Sequence, residues 1–396
     1  MELWDERDLL MIPGPTPVSS KVLREMSKPI MSHRSKDFSE ILKECVEMMK
    51  EIFRTKGDVF IVTGSGTACM DAAISNTVSE GDKVLVPVYG KFSQRFVDIA
   101  KSYGADVIEV KLEWGKALRP DLVRDMLREN PDVEVVAVVH NETSTGIRNP
   151  IREIGKVIRE ESEALYVLDV ISSLGGDDIR VDDFGIDLAI AGSQKCLATP
   201  PGLAMISVSE RAWERIEEKG NRRRTYYLDL KRYKRSLEKE VPETPYTPSV
   251  PLFYALREAL DYIVNVEGLE NSIKRHEIFS DAVRSAVREM GLELFPERGY
   301  ESRTVTAVKI PEGIEDKELR GRMRSKYRVI IAGGQDHLSG KIFRIGHMGS
   351  ITEREVLITI SALEMTLKDL GFDIELGKGI GKAEEIISAG MDQIAK

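Results

Sequence analysis

Residues 184–202 read FGIDLAIAGSQKCLATPPG, and this stretch contains the clearest indication of the fold. Its run DLAIA (187–191) is short and apolar, as is typical of a buried strand, and Lys195 follows soon after the strand ends. Burial lowers the pKa of a lysine, and the neutral amine is a nucleophile that forms a Schiff base with a carbonyl. An exposed lysine at a strand end is the alternative, and this stretch alone does not decide between them.

Upstream of this lysine, short β-branched runs alternate with amphipathic helical stretches over residues 55–210. Continuous apolar strands separated by helices predict an α/β fold with a mostly parallel sheet covered by helices on both faces. Ligands of such sheets bind beyond the carboxyl ends of the strands, so residues that follow a strand are the candidates for a site. The predicted strands are 59–63, 83–88, 106–112, 134–140, 165–170 and 187–191.

A proline-rich segment, VPETPYTPSVP (241–251), interrupts this alternation and predicts a link to, or the border of, another unit. Helical patterns follow it up to about residue 290. Further along the chain the pattern predicts a smaller α+β unit. Its predicted strands are 304–310, 328–333 and 342–349, and its predicted closing helix is 353–371.

Three other motifs carry polar groups that need a partner. Asp169 ends the apolar strand LYVLD, where an ionised carboxylate either caps the next turn or pairs with a cation such as a protonated pyridine nitrogen. The turn TGSGT (63–67) leads into a helix, so the free N–H groups of Ser65 and its neighbours can hold a phosphate. Arg344 lies in an apolar strand and needs an anion, either an internal carboxylate or that of a substrate.

Composition and missing motifs exclude several other functions. A net charge of -9 argues against nucleic-acid binding, and the absence of a long apolar run argues against a membrane span. A dinucleotide fingerprint would need glycine at Cys69, and the chain has neither a P-loop nor a Gly-x-Ser-x-Gly elbow. No metal site is expected from the five histidines. Three scattered cysteines and an N-terminus without a signal peptide predict a cytoplasmic protein.

Taken together, the motifs resemble those of the class V aminotransferases of the pyridoxal phosphate (PLP) fold-type I group, in the alanine/serine–glyoxylate/pyruvate branch. The resemblance covers nearly the whole chain in the family's order. It implies an N-terminal arm (1–20), a large PLP-binding domain (21–255) and a small C-terminal α+β domain (256–396). The matching stretches are PGPTPV (13–18), HRSKDFSEIL (33–42), TGSGTACMDAA (63–73), YGKFSQR (89–95), HNETSTG (140–146), LDVISSLGG (168–176), residues 184–204, TPYTPSVPLFYALREAL (244–260) and FRIGHMGSITEREVL (343–357).

The resemblance also implies roles for individual residues. Lys195 would hold PLP as a Schiff base, Asp169 would pair with the pyridine nitrogen, and Arg344 would bind the substrate carboxylate. The other implied cofactor contacts are Gly66, Thr67 and Gln194 at the phosphate, Phe92 and Ile171 on the two faces of the ring, Thr143 near its 3′-oxygen, and Thr244 and Thr247 of a second subunit at the phosphate.

The implied activity is transfer of the amino group of alanine or serine to glyoxylate or pyruvate by a ping-pong mechanism, in a homodimer that shares its active site. Aspartate or phosphoserine is the alternative donor and would need a second cation, from Arg34 or from residues 335–341. Cysteine desulfurase is excluded because no cysteine follows Cys196. A non-catalytic subunit is disfavoured because it would have no need for a buried lysine, aspartate and arginine together.

Overall fold

A computed structural model of the chain describes residues 8–218 and 225–394. The predicted N-terminal arm therefore lies partly outside the described residues. The strands are β1 (Leu9–Leu10), β2 (Asp58–Thr63), β3 (Lys83–Val88), β4 (Asp106–Lys111), β5 (Val133–Val139), β6 (Asn141–Glu142), β7 (Ile147–Arg148), β8 (Leu165–Asp169), β9 (Leu188–Gly192), β10 (Leu203–Val208), β11 (Val305–Lys309), β12 (Val329–Ile330), β13 (Ala332–Gly333) and β14 (Ile342–Gly346).

Helices cover the faces of the main sheet and build most of the C-terminal part. The α-helices are α1 (Ser20–Glu25), α2 (Lys36–Phe53), α3 (Gly66–Thr77), α4 (Lys91–Ser102), α5 (Pro120–Glu129), α6 (Ile151–Glu161), α7 (Glu210–Glu218), α8 (Leu230–Leu237), α9 (Val250–Asp261), α10 (Leu269–Glu289), α11 (Asp316–Tyr327), α12 (Glu353–Asp369) and α13 (Lys378–Met391). Their apolar residues recur at helical spacing: Ile151, Ile154 and Ile158 of α6 are all buried.

The central sheet has seven strands in the order β2-β10-β9-β8-β5-β3-β4. The run from β9 to β4 is parallel throughout, which confirms the predicted architecture. Strand β10 is the exception, because it lies antiparallel between β9 and β2. The sequence analysis did not predict β10: five of its six residues are apolar and show no alternation, and its pairing with the distant β2 makes it a strand.

The C-terminal part is built on the antiparallel sheet β11-β14-β13. The predicted strand 328–333 is divided between two sheets, because β13 joins this one while β12 pairs with β1 from the N-terminal arm. Helix α12 was expected, whereas α13, which packs on α10, was not. The arm thus lies against the C-terminal part of the chain.

Two large hydrophobic clusters underlie these sheets. One includes the buried residues from Phe38 to Ile263, and the other includes Met11 and residues from Ile278 to Ile387. The predicted domain boundary at 255/256 falls inside α9, and the division into domains stays a prediction. Within the described ranges, no helix has both the length and the apolar composition needed to cross a bilayer.

Candidate active site

The polar motifs meet at one edge of the sheet because the strands that precede them are parallel. Strands β9, β8 and β5 are neighbours in the sheet. Strand β9 ends just before Lys195, β8 ends at Asp169, and β5 ends just before residues 140–146. Strand β2 points the same way, so the turn 63–67 joins them there. Residues far apart in the chain thus face a common space.

That space is a cavity of about 210 Å³. Nine of the predicted site residues line it, and they do so together with three residues that the sequence analysis missed. The lining residues are Ser65, Gly66, Thr67, Phe92, Arg95, Asn141, Thr143, Asp169, Ile171, Ser172, Gln194 and Lys195. Arg95, Asn141 and Ser172 are the missed residues, although each lies in or next to a quoted motif.

Lys195 is partly buried, and burial lowers the pKa of its ammonium to about 8. No carboxylate of the described residues forms an ion pair with it. Its Nζ instead donates a hydrogen bond to the carbonyl of Pro13, in the N-terminal arm. The neighbouring Gly14 has a φ of +113°, and an added Cβ there would overlap the Lys195 side chain. The arm therefore covers the amine, and a substantial fraction of that amine is neutral near pH 8.

Asp169 is 4% exposed, and burial raises the pKa of its carboxyl group to about 7. Its Oδ1 accepts a hydrogen bond from the backbone N–H of Ile171 at 2.7 Å, and this bond offsets only part of the rise in pKa that burial causes. No ion pair with a described cation compensates the charge. A carboxylate held in this state favours a cationic partner inside the cavity.

The part of the cavity at the N-terminus of α3 is suited to an anion. Helix α3 begins at Gly66, and its N-cap residue Ser65 makes no side-chain capping bond. A Cβ added at Gly66 would lie 2.6 Å from Ile171 Cδ1, so the backbone lies open to the cavity only because this residue is glycine. The side-chain oxygen of Gln194 is buried and has no hydrogen-bond partner among the described residues. The N–H groups of the helix N-terminus and the side-chain NH2 of Gln194 are donors that fit a phosphate group, whereas the Gln194 oxygen is an acceptor.

Phe92 lies in the first turn of α4, and a buried glutamate holds that turn in place. The Glu142 carboxylate accepts hydrogen bonds from the backbone N–H groups of Phe92 at 3.1 Å and Ser93 at 2.9 Å. A negative charge at a helix N-terminus also stabilises the helix through its dipole. Sequence reasoning missed Glu142, although a glutamate within three residues of the end of a buried strand, in HNETSTG, was a detectable signal.

Arg344 is 6% exposed, and no carboxylate among residues 8–218 and 225–394 pairs with it. Its guanidinium donates to the carbonyls of Gly333, at 2.8 and 3.0 Å, and Thr143, at 2.9 Å. Burial lowers its pKa to about 10, and its charge in turn helps to lower the pKa of Lys195. The internal ion pair that the sequence left open is therefore absent from this part of the chain, and the guanidinium lacks an anion.

Thr244 and Thr247, predicted to serve the phosphate of a second subunit, do not line this cavity. Thr244 is buried, and its hydroxyl donates to the carbonyl of Tyr246 at 2.7 Å. Thr247 is exposed. Their predicted role stays a prediction.

Comparison with known proteins identifies the family. The family described as aminotransferase class-V matches residues 14–347. The chain belongs to the class-V aminotransferases. This aminotransferase is 51% identical over 387 residues to an uncharacterized aminotransferase of Methanocaldococcus jannaschii, a match covering 98% of this chain and 99% of the relative. It is 37% identical over 391 residues to the serine–glyoxylate aminotransferase of Methylorubrum extorquens, covering 96% of each chain.

A solved structure agrees. The ureidoglycine–glyoxylate aminotransferase of Bacillus subtilis superimposes with a TM-score of 0.92 at 33% identity, covering 98% of this chain and 100% of that one. The aminotransferase therefore has the PLP fold type I, lies in the serine/alanine–glyoxylate branch and is a PLP-dependent transaminase. Its cavity fits that cofactor, with an amine at Lys195, an unpaired carboxylate at Asp169 and an anion site at the start of α3.

Proposed function

We propose that the aminotransferase moves the amino group of alanine or serine to glyoxylate or pyruvate in a ping-pong cycle. The donor would bind and leave as a keto acid before the acceptor binds. The observation that carries the proposal is Arg344, a buried guanidinium that has carbonyl partners but no carboxylate among the described residues. A buried guanidinium whose acceptors are all neutral suits the α-carboxylate that every amino acid and 2-keto acid presents, and that carboxylate would replace some of these acceptors.

Each chemical role falls to a residue of the cavity. PLP, when bound, supplies a carbonyl and a ring that accepts an electron pair. Lys195 would hold it and, once displaced by the donor, move the proton of the substrate Cα through its Nζ. The Asp169 carboxylate would keep the ring nitrogen protonated. Phe92 and Ile171 would restrict the ring between them and exclude water, which strengthens the electrostatic contacts.

Small monocarboxylic substrates are favoured by the surroundings of Arg344. Arg34, the candidate second cation for a dicarboxylic donor, pairs with Glu243 at 2.7 Å. In the segment 335–341, Asp336 is acidic and forms an ion pair with Lys91 at 2.9 Å. Asp336 directly follows Gln335, whose side-chain oxygen lies 3.4 Å from Arg344. Arg34 is therefore already paired, and residue 336 contributes an acid where the dicarboxylic alternative needs a cation.

A homodimer in the cytoplasm is part of the same proposal. Thr247 is exposed, as expected if it serves a second copy, whereas Thr244 is buried and its hydroxyl donates within its own chain. The three cysteines are buried and unpaired, as expected in a reducing compartment.

A panel of substrates tests the proposed specificity. Alanine, serine and aspartate would be offered as donors with glyoxylate, pyruvate, oxaloacetate and 2-oxoglutarate as acceptors. We expect kcat/KM for glyoxylate and pyruvate to exceed that for the two dicarboxylic acceptors by about 10-fold or more, because Arg34, the candidate partner of a second carboxylate, is already paired with Glu243. Activity with the dicarboxylic acceptors alone would show that the proposed acceptors are wrong and would favour aspartate as the donor.

Replacement of Arg344 by lysine tests the carboxylate site. Lysine keeps the charge but loses the planar fork, so we expect kcat/KM for alanine to fall about 10- to 100-fold. The value for alaninamide, which has no carboxylate, should change little. Arg284→Lys is the matched control, because Arg284 is also partly buried and donates to a backbone carbonyl, that of Ser302, at 3.0 Å. Equal losses for both substrates would contradict a carboxylate contact.

A further inference from the structure

Arg95 is a cation of the cavity to which the proposed function assigns no role. It lies on α4 one turn after Phe92, and its guanidinium stands 4.8 Å from the centre of the Phe92 ring. Its Nη1 donates a hydrogen bond to the hydroxyl of Thr67 at 2.9 Å. No carboxylate of the described residues forms an ion pair with it. Arg95 is thus held against the anion end of the cavity by two neutral groups.

The charges at that end do not balance without it. A phosphate monoester carries a charge of about −1.5 to −2 at pH 7. Ser65, Gly66, Thr67 and Gln194 are neutral, and the N-terminus of α3 supplies about half a positive charge. Lys195 is committed to the carbonyl of the cofactor in the proposed mechanism. Arg95 is the remaining cationic side chain among the residues that line the cavity.

We infer that Arg95 binds the phosphate of PLP, with Thr67 orienting its guanidinium. The inference rests on the proposed placement of the cofactor between Lys195 and the start of α3. Thr67 is the second residue of α3, so its hydroxyl holds Arg95 Nη1 beside the first turn of that helix. Its other N–H groups have no acceptor among the described residues, and a guanidinium offers them in a fork that matches phosphate oxygens.

The Arg95 guanidinium could bind one other ligand in place of the phosphate, namely the second carboxylate of a dicarboxylic substrate. Both ligands are anions, so the distinction needs a measurement. The bond to Thr67 favours the phosphate, because it places the guanidinium at the N-terminus of α3. Arg344, in contrast, is held by the carbonyls of Gly333 and Thr143.

Cofactor affinity, measured without turnover, tests the inference. The full-length apoprotein would be titrated with PLP and with pyridoxal, which lacks the phosphate, and the dissociation constant followed by visible absorption. We expect Arg95→Gln to raise the dissociation constant for PLP about 10- to 100-fold and to leave that for pyridoxal nearly unchanged. Inorganic phosphate should compete with PLP in the wild type, and more weakly in the variant.

Two further variants make the result specific. Arg95→Lys keeps the charge and should lose only part of the affinity for PLP. Lys101→Gln removes a charge from the exposed side of the same helix, where Lys101 pairs with Glu109, and should change neither dissociation constant. Circular dichroism would confirm that each variant is folded.

Two outcomes would contradict the role of Arg95, and a third would contradict the proposed cofactor site. An equal loss of affinity for PLP and pyridoxal in Arg95→Gln would assign Arg95 to the support of Phe92 and overturn the inference. Unchanged PLP affinity with a raised KM for aspartate would assign it to the substrate and also overturn it. A wild type that binds no PLP would instead contradict the proposed cofactor site.

Discussion

Replacing Lys195 by alanine should lower kcat for transamination by at least about 1,000-fold, the largest effect expected for this chain. The reason is that one amine performs two tasks: attachment to the cofactor carbonyl and transfer of the substrate Cα proton. Its burial supports both, because a pKa of about 8 leaves much of the amine neutral at the pH of an assay. Steady-state rates with alanine and glyoxylate would measure the loss.

Two controls separate chemistry from damage to the fold. Lys195→Arg keeps a positive charge near Pro13 yet should be nearly as inactive, since a guanidinium forms no Schiff base. Methylamine added to Lys195→Ala should restore part of the rate, because it supplies a free base in the space that the side chain vacates. Borohydride reduction of the wild type should attach the cofactor to the peptide that contains residue 195. Attachment to another lysine, or a rate in the alanine variant close to that of the wild type, would show that the assignment of Lys195 is wrong.

Replacing Asp169 by asparagine should lower kcat about 100- to 1,000-fold and, at the same time, stabilise the apoprotein at alkaline pH. The loss of activity follows because a neutral amide cannot keep the ring nitrogen of PLP protonated. The gain in stability follows from the pKa of about 7, raised by burial from its ordinary value near 4. The wild-type apoprotein loses stability as pH rises from about 4 to 7, because the buried carboxyl group must ionise; the variant has no such loss.

Thermal unfolding of the apoprotein at pH 5 and pH 8 measures this, with Asp177→Asn as a control of opposite sign. Asp177 is also buried, but its contacts with His140, Arg148 and Arg303 outweigh the burial and hold its pKa below the ordinary value. Its ionised form stabilises the fold above the ordinary pKa of an aspartate, so Asp177→Asn should destabilise the protein at both pH values. If Asp169→Asn lowered the stability at pH 8 as well, the unpaired state of Asp169 would be contradicted.

Much of the site followed from local patterns because the topology is simple. In a parallel sheet, every strand delivers its carboxyl end to the same edge, so identifying β2, β5, β8 and β9 was enough to bring Lys195, Asp169 and the turn 63–67 together. The antiparallel β10 was missed, yet its insertion left the direction of β2 unchanged. The prediction of a common site therefore did not depend on it.

Contacts between distant segments were beyond local patterns. The bond between Arg95 and Thr67 depends on how α4 packs beside α3, and nothing in YGKFSQR marks its arginine as facing inward. The cover over Lys195 depends on the course of the N-terminal arm, which the pairing of β1 with β12 directs across the C-terminal part. The partners lie 28 residues apart for Arg95 and Thr67 and 182 apart for Lys195 and Pro13, and Leu9 of β1 pairs with Val329 of β12.

The sequence by itself determined the alternation of strands and helices, the edge at which the site forms, and the chemistry that a lysine, an aspartate and a glycine-rich turn offer there. Only the tertiary structure decided the state of each group. It showed that Arg344 donates to backbone carbonyls, whereas the sequence equally allowed an internal ion pair. It also showed that Asp169 forms no ion pair with a described cation, although Arg95 and Lys195 line the same cavity. The physical reason is that pKa and pairing depend on burial and on neighbours in space, which the spacing of residues along the chain does not specify.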